Sequence, residues 1–489
     1  MELEDFELIY KENRWECKNK KKIEDKLREI VGENNISSKA IDLLAYTKDA
    51  TLIGFNWTLQ GKIAGLPDFI TWPETIEQLT EILKFANQEN IPVIPYGEGS
   101  GVVGGAIPVY GGIIIDMKKF NKILNINDKD LTVTVESGIN GMNLERYLNA
   151  QGYTHGHIPQ SLNYSSVGGW IAHRSAGQFS TKYGKIEDMV MGMEVILPQG
   201  DILKFKTIAR ASTGPQFEKL FIGGGGTLGI ITKVTLKIWP YPESRTLISY
   251  AFPTIEDSLE ATRQILRQQI YPAVIRIYDV VETVRHFPHI DKAKDKVLVI
   301  FVCEGIKRLV NLEEDITKEV CEKNSGINCG EKPVEHWFET RFNATETSHG
   351  PTFGMVLDTI EIGFLWDKAA EMYHSVLDAA NKVKGLLFIT AHVSHFYSNG
   401  VGFYFSFSGI PPREKTDLEF YQEVWNTVIK TVEECGGSIG HHHGIGINRS
   451  KWMSVEWGKA FDSLKKIKQL LDPNNILNPG KVYESLWKE

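Results

Sequence analysis

Apolar and polar positions alternate in several distinct rhythms along the chain. Residues 1–60 mix Lys- and Glu-rich stretches with scattered apolar positions, carry no turn cluster and read as helical. The rhythm changes at Pro67-Asp-Phe-Ile-Thr-Trp-Pro73. Between Thr75 and Asn90 the apolar residues Ile76, Leu79, Ile82, Leu83 and Phe85 recur at helical spacing, and the runs Ile91–Pro95 and Gly112–Met117 are strand-sized. A strand, a helix and two more strands predict a parallel βαβ unit, because side chains of a buried parallel strand are apolar on both faces.

From 120 to 240 the runs shorten. Leu131–Val135, Met193–Leu197 and Gly229–Leu236 alternate with turns such as Pro198-Gln-Gly-Asp201, which predicts antiparallel α+β structure. A fresh segment begins near Pro240-Tyr-Pro242, with helices over Ser258–Gln268 and Trp366–Lys384 and strands over Lys296–Val302 and Val401–Ser408. Near the end, Leu470-Leu-Asp-Pro-Asn-Asn-Ile-Leu-Asn-Pro-Gly480 closes a helix with proline and glycine stops. The fold class expected is α+β, with boundaries at 1–60, 61–240, 241–430 and 431–489.

Composition narrows the class of function. The chain has 489 residues, of which 42% are hydrophobic and 24% charged, and these values exclude a disordered, collagenous or disulfide-scaffold protein. A net charge of −8 argues against a nucleic-acid binder, although a local basic pocket for an anion remains compatible with it. Met1–Arg14 is charged and lacks an apolar core, so no secretory signal is expected. Five scattered cysteines (Cys17, Cys303, Cys321, Cys329, Cys435) without a Cys-x-x-Cys read as free thiols of a cytoplasmic protein. No apolar run is long enough to span a membrane. Peripheral membrane contact and a homodimer both stay open.

Glycine is the unusual component: 44 residues, clustered. Pro95-Tyr-Gly-Glu-Gly-Ser-Gly-Val-Val-Gly-Gly105 places five glycines in nine residues after a predicted strand. Backbone N–H groups there can converge on an anion without obstruction by Cβ atoms, and a pyrophosphate is the natural guest. The loop fits neither the Rossmann fingerprint nor a P-loop. A second small-residue segment runs from Pro159 to Gly177 with Tyr183–Asp188 beyond it, and a third is Gly223-Gly-Gly-Gly-Thr-Leu-Gly229. Three such clusters within 140 residues favour one large cofactor over three unrelated turns.

Gly440-His-His-His-Gly-Ile-Gly446 carries the other candidate chemistry. On a strand, alternation would put His441 and His443 on one face and His442 on the other. Zinc lacks clear cysteine or carboxylate partners, so no metal is expected, and acid–base or polar contact with a substrate is as natural for imidazoles near neutral pH.

Together these segments resemble the flavoprotein superfamily of vanillyl-alcohol oxidase, para-cresol methylhydroxylase and the D-2-hydroxy acid dehydrogenases, over about residues 60–480. Within it, Gly156–Ser161, Ser165–Trp170, Arg174–Gly177, Tyr183–Val190, Ile275-Arg276, Tyr404-Phe405 and His441–Gly444 look like the alkylglycerone-phosphate synthase branch. The resemblance implies a two-subdomain FAD-binding domain, a cap domain for substrate, and a C-terminal segment that returns to the FAD domain. It implies that Pro95, Tyr96, Gly97, Glu98, Gly99, Ser100 and Gly101 act with Pro159, Ser161, Ser165, Ser166, Gly168, Gly169, Trp170, Arg174, Ser175, Gly177 and Tyr183 to hold the pyrophosphate and flank the isoalloxazine. Gly226, Thr227, Gly229 and Ile230 belong to the third cluster. Residues 95–105 contain neither His nor Cys, so FAD is expected to bind there without a covalent tether.

The resemblance also implies the chemistry. Tyr404 stands 38 residues before His442, the spacing the family keeps between its acid–base tyrosine and its central histidine. His157, His443 and Arg276 match family positions near flavin or substrate. Two departures stand out: a family arginine falls on Thr347, with Arg341 the nearest substitute, and Gly225 replaces a carboxylate. The expected function is FAD-dependent oxidation of a hydroxyl-bearing carbon of a small polar or lipid-like substrate, with electrons passed to an unknown acceptor. Redox-neutral exchange of acyl for alkyl on dihydroxyacetone phosphate is the alternative, and an inactive flavoprotein subunit is the third reading.

Overall fold

The structure is a computed structural model that describes residues 6–343 and 350–487. Its first layer is the parallel unit. Strands Phe69–Thr71 and Val93–Tyr96 flank Ile113–Asp116, both pairing parallel to it, and Ile36–Ser37 adds an antiparallel edge. The connecting helix, Ile76–Glu89, is fixed at both ends: Thr75 Oγ1 accepts from Gln78 N, and Asn90 closes it in the left-handed conformation. Its predicted stripe of Leu79, Ile82, Leu83 and Phe85 is buried against the strands, each side chain contributing about 1.5–3 kcal/mol of apolar burial.

Residues 1–60 depart from the helical expectation. Helices Lys20–Val31, Ala40–Ala45 and Ile53–Leu59 are interrupted by the short strands Glu7–Leu8 and Ile36–Ser37. Both strands pair with residues further along the chain, Glu7–Leu8 with Lys62–Ile63 and Ile36–Ser37 with Ile70–Thr71. Tertiary pairing overrides local propensity there.

The second layer is a five-stranded antiparallel sheet that includes Thr132–Glu136, Val190–Ile196 and Ile230–Lys237, as the alternation predicts. A seven-stranded antiparallel sheet follows, with Val274–Tyr278, Leu386–Tyr397, Gly400–Gly409 and Val356–Leu365 adjacent in that order. Alternation decides its two faces. Phe403, Phe405 and Phe407 are buried in the core on one side, beside Tyr373 and Tyr421, whereas Tyr404 and Ser406 point the other way into a cavity. The phenylalanines therefore pack the core and do not line a lipid channel.

After helix Ala460–Leu471 the chain crosses back to the parallel unit. Val93 N donates to Ile476 O (2.7 Å) and Asn478 N donates to Val93 O (2.8 Å). Asn478 Nδ2 then donates to Gly105 O (2.9 Å) and Gly225 O (2.8 Å), joining the first and third glycine clusters. All five cysteines are free thiols, and among the described residues no helix is long and apolar enough to cross a membrane.

Candidate active site

The three glycine clusters and the polar face of the seven-stranded sheet enclose one cavity of about 850 Å³. Pro95, Tyr96, Gly97, Glu98, Gly99, Ser100 and Gly101 line one wall. Pro159, Ser161, Ser166, Gly168, Gly169, Trp170 and Ser175 line another, with Gly226, Gly229 and Ile230 beside them. Arg276, Tyr404, His442 and His443 complete the set from the sheet side.

Six predicted residues stand behind these walls. Ser165 Oγ accepts from Trp170 Nε1 (2.8 Å), and buried His157 meets Ser175 Oγ through Nε2 (2.8 Å), so both orient residues that do line the cavity. Gly177 packs on the backbone of His157 and Ile158. Thr227 Oγ1 donates to Gly224 O (2.5 Å) and braces its own turn. Tyr183 donates to Glu304 (2.7 Å), and half-exposed Arg174 pairs with Glu187 (3.1 Å). The partner of Tyr183 lies 121 residues away, whereas Ser165 and Thr227 are braced by neighbours three to five residues distant.

The cradle suits a dinucleotide. Gly226 has φ +69°, and a Cβ there would stand 2.6 Å from Pro95 Cγ, so two clusters touch at a point that only glycine fits. Gly99 has φ +67° and would meet the Tyr96 ring with any side chain. Backbone approaches this close leave room for a flat, phosphorylated guest and supply amide donors to it.

The acid–base residues are assembled by strand register. Glu361, Tyr404 and His392 lie directly opposite one another on three neighbouring strands. The His392 ring stacks on Tyr404 with centroids 4.6 Å apart. Tyr404 Oη hydrogen-bonds His443 Nε2, the residue after the His442 that keeps the family spacing. His443 Nδ1 lies 3.7 Å from Glu361 Oε1. Glu361 is fully buried and accepts from the backbone N–H groups of His441 and His443, while Arg449 Nη2 stands 3.1 Å from Oε1. Burial pushes the Glu361 carboxyl up, but Arg449 and the nearby histidines more than offset it and hold it below the usual range. Burial drives the His443 imidazole down to about 4 against the pull of Glu361, and burial with the Glu361 charge raises the Tyr404 phenol far above its ordinary value.

The histidine run is a bend and not a strand. Wrapping around the Glu361 carboxylate turns His441 and His442 together towards His395, and gives His443 the hydrogen bond to Tyr404, whose ring His442 also meets at 5.3 Å. Candidate nitrogens of His395, His441 and His442 all lie within 4.8 Å of one another, close enough to share a cation. Several already have protein partners: His395 Nδ1 meets Ser180 Oγ (2.8 Å), His441 Nε2 meets Tyr397 Oη (2.7 Å), and His441 Nδ1 meets His442 Nδ1 (2.9 Å).

Sequence reading missed Glu361, His392, His395, Tyr397 and Arg449. One signal was available: Val356-Leu-Asp-Thr-Ile-Glu-Ile-Gly-Phe-Leu365 carries two acids inside an apolar run, and Asp358 and Glu361 are both buried. Thr347 lies outside the described residues. Arg341 lines the cavity among Phe179, Trp337, Phe338 and Phe342, donates to Gln178 Oε1 (3.3 Å), and has no carboxylate partner among the described residues. Burial lowers its guanidinium to about 10.

A glycine-walled chamber of this kind, closed by an antiparallel sheet that presents a phenol and imidazoles, defines a two-part flavoprotein. Comparison with known proteins agrees. Residues 67–206 match the FAD binding domain, and residues 241–482 match the C-terminal domain of FAD linked oxidases. An uncharacterized FAD-linked oxidoreductase, YgcU of Escherichia coli (strain K12), is 31% identical over 482 residues, which is 94% of this chain and 98% of that protein. The alkyldihydroxyacetonephosphate synthase of Dictyostelium discoideum is 30% identical over 465 residues, covering 88% of this chain and 75% of its own. A solved structure of an alkyldihydroxyacetonephosphate synthase superposes with a TM-score of 0.78 at 25% identity, covering 98% of this chain and 87% of that one. The p-cresol methylhydroxylase structure shares the fold, with a TM-score of 0.77 at 18% identity over 97% and 98% of the two chains. The chain belongs to the FAD-linked oxidase family, and FAD is its cofactor.

Proposed function

We propose that this flavoenzyme oxidises a hydroxyl-bearing carbon of a small anionic substrate, with FAD held non-covalently by the glycine clusters. Bound FAD supplies the acceptor for the hydride. The chain's own part is to orient the substrate and move one proton. Tyr404 takes the proton from the substrate hydroxyl as it passes its own to His443 Nε2, and the imidazolium so formed faces the Glu361 carboxylate. Glu361 therefore stabilises the charge that develops on His443, in a buried site where that interaction is stronger than in water. Arg276 and Arg341 line the same cavity without a carboxylate partner among the described residues, which suits a carboxylate or phosphate on the substrate.

The observation that carries this reading is the Tyr404–His443–Glu361 row, in which the final proton acceptor is neutral at rest and backed by a buried carboxylate. Exchange of acyl for alkyl on dihydroxyacetone phosphate is the second reading, favoured by the similarity to the synthases. Anaerobic titration of the yellow holoenzyme separates the two. Oxidation requires the flavin to bleach with a hydroxy acid or phosphorylated polyol and to recover with an electron acceptor. Turnover of acyl-dihydroxyacetonephosphate with a fatty alcohol, without net bleaching, would establish the second reading and refute the first.

A further inference from the structure

His442 and His443 both face the cavity, yet the hydrogen-bond pattern gives them opposite characters. Tyr397 stands next to the hairpin turn that joins Leu386–Tyr397 to Gly400–Gly409. Its hydroxyl lies 2.7 Å from His441 Nε2, and among the described residues that nitrogen is its hydrogen-bond partner. A largely buried phenol retains its proton and must place it on an acceptor, so Tyr397 donates and His441 accepts at Nε2.

A neutral imidazole carries one proton, which leaves that of His441 on Nδ1. His441 Nδ1 lies 2.9 Å from His442 Nδ1, and two ring nitrogens this close need one proton between them. His441 supplies it. His442 Nδ1 is thereby an acceptor, and its own proton resides on Nε2, the nitrogen without a partner among the described residues, on a ring that lines the cavity.

We propose that Tyr397 is a positioning residue that acts through His441 to hold His442 as a hydrogen-bond donor towards the substrate oxygen. This rests on the oxidation reading for the identity of that oxygen. His442 Nε2–H then meets the negative charge that develops as Tyr404 and His443 remove the hydroxyl proton, so one imidazole gives a hydrogen bond while its neighbour takes a proton.

The surroundings hold the relay in one arrangement. The His395 ring stacks on His441 at 4.8 Å and meets His442 edge-on at 4.5 Å, and Ser180 fixes it through Nδ1. Lys185 Nζ donates to the His441 carbonyl (2.6 Å). Burial, with the Lys185 charge beside it, drives His441 down to about 3, so the ring stays neutral at working pH.

The test is side-chain ¹⁵N NMR of histidine-labelled holoenzyme, which reports tautomers without turnover and so stands apart from any failure of the oxidation reading. The wild type should show His442 protonated on Nε2. Tyr397→Phe should mix or invert the His441 and His442 tautomers while FAD content stays unchanged, and kcat should fall about tenfold, less than complete loss of an oxyanion donor. Adding His441→Asn to Tyr397→Phe should restore the wild-type His442 signal, because the asparagine Nδ2 can donate to His442 Nδ1. A wild-type His442 protonated on Nδ1, a tautomer unmoved by Tyr397→Phe, or one equivalent of zinc bound by these histidines in elemental analysis would each overturn the proposal.

Discussion

Replacing Tyr404 with phenylalanine removes one oxygen from the centre of the site and leaves the rest of the side chain in place. The ring still stacks on His392 at 4.6 Å, and Phe403 and Phe405 on either side keep their burial. What disappears is the partner of His443 Nε2, and an unsatisfied buried nitrogen costs about 1–3 kcal/mol. Against a typical domain stability of about 5–15 kcal/mol the variant should fold. The cofactor walls are built from the glycine clusters, so the FAD-to-protein ratio should remain that of the wild type. Chemistry should suffer far more. General acid–base groups contribute about 10²–10⁴ in rate, or roughly 3–5 kcal/mol of barrier. The assay is stopped-flow flavin bleaching by saturating substrate under anaerobic conditions, with the visible spectrum and thermal melting recorded on the same preparation. A reduction rate within threefold of wild type would refute the assignment of Tyr404 as the group that takes the proton. Loss of flavin would make it a structural residue.

Gly226→Ala should abolish FAD retention with little change in secondary structure, because the new methyl group would press on Pro95 from a backbone at φ +69°; a variant that purifies yellow would count against the cradle. Glu361→Gln should destabilise the fold by about 3–5 kcal/mol, since it leaves Arg449 buried without its charge partner, and should slow flavin reduction; an unchanged denaturation midpoint would contradict this. His173 and His443 are both partly buried against the cavity wall and held near pKa 4 by desolvation, below the unfolded value of about 6.5. The unfolded chain therefore binds more protons between these values, so stability is intact above about pH 6.5 and falls as pH drops towards 4. A melting temperature that is flat from pH 7 to 4.5 would sink that expectation.

The sequence was most legible where structure is local. The helix Ile76–Glu89 follows from its apolar spacing and Thr75 cap, and most residues of the glycine motifs line the cavity because each motif is one short contiguous stretch of chain, the second including the helix Val167–His173. Glu361 and His392 were not legible, because antiparallel register alone brings them beside Tyr404 from 43 and 12 residues away. The faces of His441–His443 were misjudged for a related reason. A buried carboxylate from another strand curls that segment, and strand alternation no longer applies. Ser165, His157 and Thr227 read as contacts but are braces, since short polar side chains beside glycines serve either purpose until their partners are known.

The junction at Asn478 has a consequence for how the protein is made. One amide group ties the carbonyls of Gly105 and Gly225, and nearby Lys468 donates to Thr227 O (2.8 Å) and Leu477 O (3.0 Å). Apart from the local Lys468–Leu477 bond, these contacts cross 241 to 373 residues of chain. A ribosome-bound nascent chain that has emerged through residue 240 already contains all three glycine clusters but not the residues that clamp two of them together. Flavin capture should therefore await translation of the region around residue 478. Until then the nascent chain carries a half-built dinucleotide cleft through about the second half of its synthesis.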